Sequence, residues 1–430
     1  MTHQASKTEA PKQRALLVAV YRGSKDRPVC DEHLEELAFL AETHGIETAG
    51  KESIFLRLPT AAHLVSKGKL EDLVTRAKEL AVDLVIFDEE ITPAQQRNLE
   101  KEFGIDVIDR TELIIGVFAQ RAHTKEAQLQ VELAEAKYQY PRLKRLWTHL
   151  SRQRVSGAGG GYLKGMGEKQ IEVDRRLLKN RVAVLEEQIA AVRTHRINQR
   201  QARMRSRIPV LAIIGYTNVG KSTLLNALTD AGVFVEDKLF ATLDTTTRKF
   251  SLPDKQEILL IDTVGFIRKL PHLLVAAFKS TLEESFYADI LLHVVDVSHP
   301  NALEQADASL QVLKELKVIG KPIITILNKT DALKDPSIIT KLRLTYPKTV
   351  LISAKYHTGF DDLFEMLIHE INKQRRVYHL RIPQKDYSVV SELERLGHIH
   401  FKEYDGNDIL ISVDLPPSLA GKLTNYMELG

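Results

Sequence analysis

Apolar runs and amphipathic stretches take turns along most of this chain. Ala15 to Tyr21 (ALLVAVY) reads as a first strand and the amphipathic stretch Asp31 to His44 as a helix, with Ile46 to Arg57 extended after it. Leu70 to Leu80 has helical spacing, Leu84 to Phe87 (LVIF) is a short apolar strand, Pro93 to Phe103 is a helix, and Val107 and Ile108 mark another strand. Strands alternating with helices of this length predict an N-terminal α/β domain over residues 1–110, with a mainly parallel sheet. Asp88, Glu89 and Glu90 follow a strand end. A solvated loop that caps the next helix is the expectation there, against the alternative of a ligand site.

From Thr111 to Leu150 the pattern is long and helical, with Pro141 as its break. Gly157 to Gly167 (GAGGGYLKGMG) is the most glycine-dense stretch. Beyond it Ile171, Leu178, Val182, Leu185, Ile189 and Val192 fall on heptad-like spacing and predict a long helix with one apolar seam, half of a helical hairpin. Residues 111–207 therefore form a segment of long helices with a Gly-rich loop. At Ile208 the pattern changes. Pro209 to Gly215 reads as a buried strand, and strands and helices alternate again across a third domain, 208–373. The tail, 374–430, holds Val377 to Ile382, Ser388 to Leu396, Ile399 to Tyr404 and Asp408 to Val413, a small α+β domain whose last strands meet across Asp405-Gly406.

With 430 residues, 43% of them apolar and 27% charged, the chain has ordinary globular usage. The single cysteine, Cys30, excludes an internal disulfide framework and any multi-cysteine zinc site. The apolar runs at Leu273–Phe278 and Ile290–Val297 are too short to span a membrane, and the second is interrupted by His293 and Asp296. A cytoplasmic protein without a membrane span is expected. The formal charge is only +3, yet Arg142 to Arg207 carries 17 basic against 5 acidic residues, a net of +12. Arg196 to Arg207 has no acid at all. A localised basic block points to a polyanion such as RNA, the alternative being a solvated helix face. Trp147 sits in that block as a helix anchor or a base-stacking ring. The 15 histidines show no metal-binding spacing.

The chemistry is concentrated after Ile208. Gly215, Tyr216, Thr217, Asn218, Val219, Gly220, Lys221 and Ser222 fit GxxxxGK[ST] between a strand and a helix. Backbone N–H groups of such a loop wrap phosphates, Lys221 reaches the β- and γ-phosphates, and Ser222 ligates Mg²⁺. A second strand ends in Asp262, Thr263, Val264 and Gly265, where the aspartate holds Mg²⁺ through water and the Gly265 N–H meets the γ-phosphate. A third ends in Asn328, Lys329, Thr330 and Asp331. Asp331 can accept from guanine N1–H and N2–H₂, a pairing adenine does not offer. Ser353, Ala354 and Lys355 end a further strand and lend N–H groups to guanine O6. Together, in this order and each after a strand, the four motifs specify a GTP site.

Residues 208–372 resemble translation-factor-type GTPases across all five nucleotide-binding motifs. Gly157 to Arg176 (GAGGGYLKGMGEKQIEVDRR) resembles the signature of the HflX family of ribosome-associated GTPases, a likeness that extends over most of the chain. The family more often reads RGPGE and TxLE where this chain has Lys164-Gly-Met-Gly-Glu168 and Lys169-Gln-Ile-Glu172, so the detail of the RNA contact is what the departure touches. The resemblance implies the fold class: a P-loop GTPase domain with an N-terminal α/β domain, a long helical hairpin and a small C-terminal α+β domain. It also implies GTP hydrolysis, GTP and GDP as ligands, and the large ribosomal subunit and its RNA as partner. The expected role is splitting stalled or stressed ribosomes as a monomer. The alternative is a GTP-controlled switch for a protein partner, without ribosomal RNA contact.

The switch segment is Phe240, Ala241, Thr242, Leu243 and Asp244, continuing to Arg248. The resemblance places the second Mg²⁺ hydroxyl on Thr242, with Thr245 as runner-up. Phe266 stands where Ras-type GTPases carry the glutamine that orients the attacking water. No general base is visible, so Lys221 and Thr242 are the candidates for positioning the transition state. Asn218 occupies a position that holds K⁺ in related hydrophobic-substituted GTPases, or else ties the loop together.

Overall fold

The computed structural model describes residues 12–143, 172–192, 208–229, 239–240, 243, 246–269, 271, 274, 287–316, 318, 320–373, 376–396, 398–415 and 423–427. Contacts divide the chain into two compact units. The first takes in Met1–Val192 with Lys238–Phe240 and Leu270–Phe278, and the second the remainder.

In the first unit β1 (Arg14–Tyr21) leads into α1 (Arg27–His44). Pro28 opens that helix and Gly45, at φ 93°, closes it by donating its N–H to the last carbonyls. β2 (Glu47–Phe55), α2 (Lys67–Glu79), β3 (Leu84–Phe87), α3 (Pro93–Phe103) and β4 (Asp106–Asp109) follow. The strands form a parallel sheet in the order β2-β1-β3-β4. Every residue of β3 is buried, as a parallel strand covered on both faces requires. These elements follow the apolar pattern closely.

The run expected as one helix from Thr111 is two. α4 (Arg110–Arg121) stops short of α5 (Lys125–Gln139) because the Thr124 hydroxyl accepts from the Ala127 N–H and starts a new helix there. Pro141 does end α5, in the 3₁₀ turn Tyr140–Arg142. A further helix, α6 (172–192), carries the expected seam: Leu185 is buried and Leu178, Val182, Ile189 and Val192 are half-buried among exposed neighbours. It is tied to α5 by Lys137–Glu186 at 2.7 Å and by Arg181–Glu132. Trp147, the Gly157–Gly167 stretch and the Arg196–Arg207 run lie outside the described residues.

The C-terminal ends of this sheet hold charge in the interior. Asp88, expected in a solvated loop, is 1% exposed and accepts from Arg110 at 2.8 Å, while Arg110 also pairs with Glu36. Asp109 is wholly buried. It caps α4 through the Glu112 N–H (2.9 Å) and accepts from the Tyr138 hydroxyl (3.0 Å) and from Arg142 (3.4 Å). Arg142 further donates to Gln96 and to the Ile91 carbonyl, and its guanidinium lies 3.6 Å from the Tyr138 ring centre. Burial pushes the Asp109 carboxyl up to about 6 against the pull of those donors.

The second unit starts with β5 (Val210–Gly215) and α7 (Lys221–Thr229). Then come β6 (Thr246–Ser251), β7 (Glu257–Asp262), β8 (Ile290–Asp296), α8 (Ala302–Glu315), β9 (Ile323–Asn328), α9 (Ser337–Thr345), β10 (Thr349–Leu351) and α10 (Phe360–Lys373). The order is β10-β9-β8-β5-β7-β6, parallel except for β6, an edge strand the apolar pattern did not show. β8 is buried at all seven residues. The run that His293 interrupts is thus a central strand, with His293 fully inside it, both ring nitrogens without a hydrogen-bond partner among the described residues. Burial lowers its pKa to about 4.

The C-terminal domain is an antiparallel sheet in the order β11-β13-β12, made of β11 (Arg376–Pro383), β12 (His398–Asp405) and β13 (Asp408–Leu415). α11 (Tyr387–Leu396) packs Val390 and Leu393 against Leu380, Ile411 and Val413. Asp405 pairs with Asp408 across a two-residue turn with Gly406 at φ 60°, where the sequence placed it. Among the described residues no helix is long and apolar enough to cross a membrane.

Candidate functional site

The second sheet brings its motifs to one edge because β5, β7, β8 and β9 are parallel neighbours and end together. In an open α/β sheet the crevice beyond the carboxyl ends of the strands is where ligands bind. β5 runs into the loop from Gly215 to Ser222, and α7 starts at Lys221, so its first N–H groups face the loop. Tyr216, Thr217 and Val219 are buried, while Asn218 is exposed and adopts φ 58°. Gly220, at φ 93°, sits so close to Asn328 that a Cβ would meet its Nδ2 at 2.5 Å. Glycine is required there for both conformation and space.

Lys221 is buried and its Nζ donates to the Tyr216 carbonyl at 2.7 Å. Loss of solvent lowers its pKa to about 8, and the nearby Asp262 carboxylate opposes the shift. Ser222 donates to Asp262 at 2.7 Å. A hydroxyl and a carboxylate this close, beside the lysine, are hard oxygen donors of the kind Mg²⁺ takes, with water and phosphate completing its shell. They fit the ion. The Thr263 hydroxyl instead donates to the Ile213 carbonyl at 2.7 Å, so it stitches β7 to β5 and does not face the loop. Val264 is buried, and Gly265 lies against Thr217 and Lys221.

The base-binding motifs are locked together. Asn328 donates to the Val219 carbonyl (2.8 Å) and accepts from the Ala354 N–H (3.0 Å), joining phosphate loop, β9 and the segment after β10. Asp331 accepts from the Ser353 hydroxyl at 2.5 Å, and Thr330 donates to the Ile352 carbonyl at 3.0 Å. Asp331 and Lys355 remain exposed, as groups that receive a base must be. Lys329, at φ 62°, turns its amine to Asp296 at 2.7 Å. Sequence reasoning passed over Asp296. Its signal was its place at the end of an apolar strand, two residues before Ser298, which donates to it. Phe240 and Leu243 of the switch segment are buried, whereas Ala241, Thr242 and Asp244 lie outside the described residues, so the Thr242 ligand assignment does too.

Comparison with known proteins bears on the family of the chain. Residues 210–329 match a family described as 50S ribosome-binding GTPase, residues 31–119 a GTP-binding GTPase N-terminal region, and residues 121–203 a GTP-binding GTPase middle region. The chain is 49% identical to GTPase HflX of Chlamydia pneumoniae over 98% of its length and 89% of the relative's. It is 39% identical to GTPase HflX of Escherichia coli K12 over 94% of each. A GTP-binding protein of Sulfolobus solfataricus, solved with GDP, is 24% identical over 84% of this chain and 99% of its own, with a TM-score of 0.44. The three family matches and the near full-length relatives converge: the chain belongs to the HflX family of GTPases.

Proposed function

We propose that this GTPase binds the large ribosomal subunit and splits stalled or stress-arrested ribosomes, with GTP binding and hydrolysis setting when it docks and leaves. The observation that carries the reading is the fusion, in one chain, of a 50S ribosome-binding GTPase match to the two regions found N-terminal to it. The basic block of net charge +12 from Arg142 to Arg207, which lies mostly within the middle-region match, supplies the attraction to RNA phosphates. In this reading residues 1–110, 111–207, 208–373 and 374–430 act as four domains, and the Gly157–Gly167 segment meets the RNA through Tyr162, Lys164 and neighbouring basic residues.

At the nucleotide site the residues Gly215 to Ser222 receive the phosphates, and Lys221 exchanges its bond to the Tyr216 carbonyl for the β- and γ-phosphate oxygens. Asp331 selects guanine, steadied by Ser353. Ser222 and Thr242 are the Mg²⁺ ligands, with Asp262 reaching the ion through water. When bound, the ion neutralises charge on the phosphate oxygens.

Co-sedimentation with separated ribosomal subunits, in the GTP-analogue, GDP and nucleotide-free states, tests the proposal. Binding to the large subunit with the analogue, steeply weakened by salt and accompanied by loss of intact ribosomes, is the expected result. Association that is indifferent to salt and confined to a protein partner would leave only the switch reading.

A further inference from the structure

Phe266, at the position where Ras-type GTPases carry the water-orienting glutamine, is 2% exposed and packed into the interior. What Phe266 contributes is its backbone. Its N–H donates to the Gly215 carbonyl at 3.0 Å and its carbonyl accepts from the Thr217 N–H at 2.7 Å. Two residues after Phe266, the Arg268 N–H donates to the Tyr216 hydroxyl at 2.7 Å. These bonds bracket Thr217 and fix the Gly265 step against the phosphate loop.

Thr217 is the unusual member of that loop. Its side chain is 5% exposed, and its Oγ1 is buried with no hydrogen-bond partner among the described residues. Its surroundings are the groups that meet the terminal phosphate: a Cβ on Gly265 would lie 2.7 Å from Thr217 Cγ2 and 2.9 Å from Lys221 Nζ. A buried hydroxyl is normally paired, so an unpaired one at such a place points to a partner that arrives with the substrate.

We propose that Thr217 is a catalytic residue of GTP hydrolysis, its hydroxyl accepting from the attacking water and donating to a γ-phosphate oxygen beside Gly265. The proposal rests on the GTPase activity and not on the ribosomal reading. In the step, the water oxygen bonds to the γ-phosphorus while the bond from that phosphorus to the β-phosphate bridging oxygen breaks, its electron pair leaving with GDP. The displaced water proton passes to a γ-phosphate oxygen and departs with inorganic phosphate. Thr217 ends with the proton it began with. It orients the reactants, a role that effective positioning rewards.

Thr217→Val keeps the shape and removes the hydroxyl, and Thr217→Ser keeps the hydroxyl and removes the methyl. Single-turnover hydrolysis by the full chain without ribosomes is read beside affinities for GTP, GDP, and GDP with aluminium fluoride, a mimic of the phosphoryl group in flight. Thr217→Val should slow hydrolysis at least tenfold and weaken the aluminium fluoride complex to match, with GDP affinity, which involves no γ-phosphate, within threefold of native. Thr217→Ser should stay within threefold on every measure. A native rate in Thr217→Val overturns the proposal. An equal loss in Thr217→Ser overturns it too, because the methyl packed on Gly265 would then be the cause. Should Thr217→Val fail to fold, Thr217→Ala against Thr217→Ser decides by the same criteria. A native chain that binds GTP without hydrolysing it would sink the enzymatic reading, whereas failure to sediment with ribosomes would leave the role of Thr217 standing.

Discussion

Parallel strands in the first two sheets of this chain end in carboxylates that are used in opposite ways. At the ends of β7 and β9, Asp262 and Asp331 accept short hydrogen bonds from the Ser222 and Ser353 hydroxyls, neutral partners that the proposed magnesium ion and guanine base would displace or share. Beyond β3 and β4, Asp88 and Asp109 are engaged by the guanidinium groups of Arg110 and Arg142, in the interior. One crevice engages its acids through neutral hydroxyls, although Asp262 is itself wholly buried. The other spends them on its own chain, where a buried ion pair fixes geometry and contributes little net stability. The architecture alone does not decide which happens; the partner side chain does.

The sharpest way to break the contrast is to remove one arginine. Arg142→Ala leaves Asp109 buried and without its cation, and should cost the N-terminal unit about 3–5 kcal/mol. Hydrogen exchange at the amides of β3 and β4 should accelerate accordingly, while exchange in β5 and β8 stays native. Arg142→Met combined with Asp109→Asn should recover part of the loss. Unchanged exchange in Arg142→Ala would mean that Asp109 is solvated and the contrast false.

Acid probes the second sheet at a different point. His293 titrates at about 4 in the fold against 6.5 when free, so the unfolded chain binds more protons between those values. Stability of the GTPase domain is therefore full above pH 6.5 and falls as pH drops towards 4, by about 3 kcal/mol in all. His293→Leu should flatten that part of the stability curve in urea titrations. A slope that survives the substitution would assign the acid sensitivity to other groups.

The two regions also differ in how far they could be read without coordinates. The nucleotide motifs are contiguous, each packed into a few residues after an apolar run, so Lys221, Asp262 and Asp331 stood out in the chain. The interior network of the first unit joins residues far apart: Arg142 to Gln96 across 46 positions, Arg110 to Glu36 across 74. No local pattern links them, and Asp88 looked like part of an exposed acidic cluster. The strands were legible because period and length agree, except β6, whose sequence TTRKFS has no apolar face to betray it. The break at Thr124 was missed for the opposite reason: helical periodicity continues through it and only the cap interrupts the backbone.

A smaller effect is expected where the open crevice meets the base. Asp331→Asn should weaken GTP binding about a hundredfold, close to 2.7 kcal/mol, and improve xanthosine triphosphate, because an amide can donate to the 2-oxo group where the carboxylate accepted from N2–H₂. Equilibrium binding of both nucleotides checks this. Equal weakening of the two would show that the variant had disturbed the Ser353 contact instead of base choice.

The smallest effect returns to the closed crevice and asks whether its hydrogen bonds matter apart from its charges. The Tyr138 hydroxyl donates to Asp109 at 3.0 Å and lies 3.2 Å from Glu112, and its ring lies beneath the Arg142 guanidinium. Tyr138→Phe removes the hydroxyl and keeps the ring, so the stacked cation and the packing survive. The loss is one hydrogen bond to a buried carboxylate, worth about 1.5 kcal/mol. The phenol titrates well above its usual range, since burial and two carboxylates oppose the phenolate, so the effect should be independent of pH through neutrality. Asp109 should in turn hold its proton more readily, and the difference between Tyr138→Phe and native stability should shrink below pH 6, where a neutral carboxyl needs the donor less. A constant difference from pH 4 to pH 8 would show that Asp109 remains ionised throughout, and that Arg142 alone governs its charge.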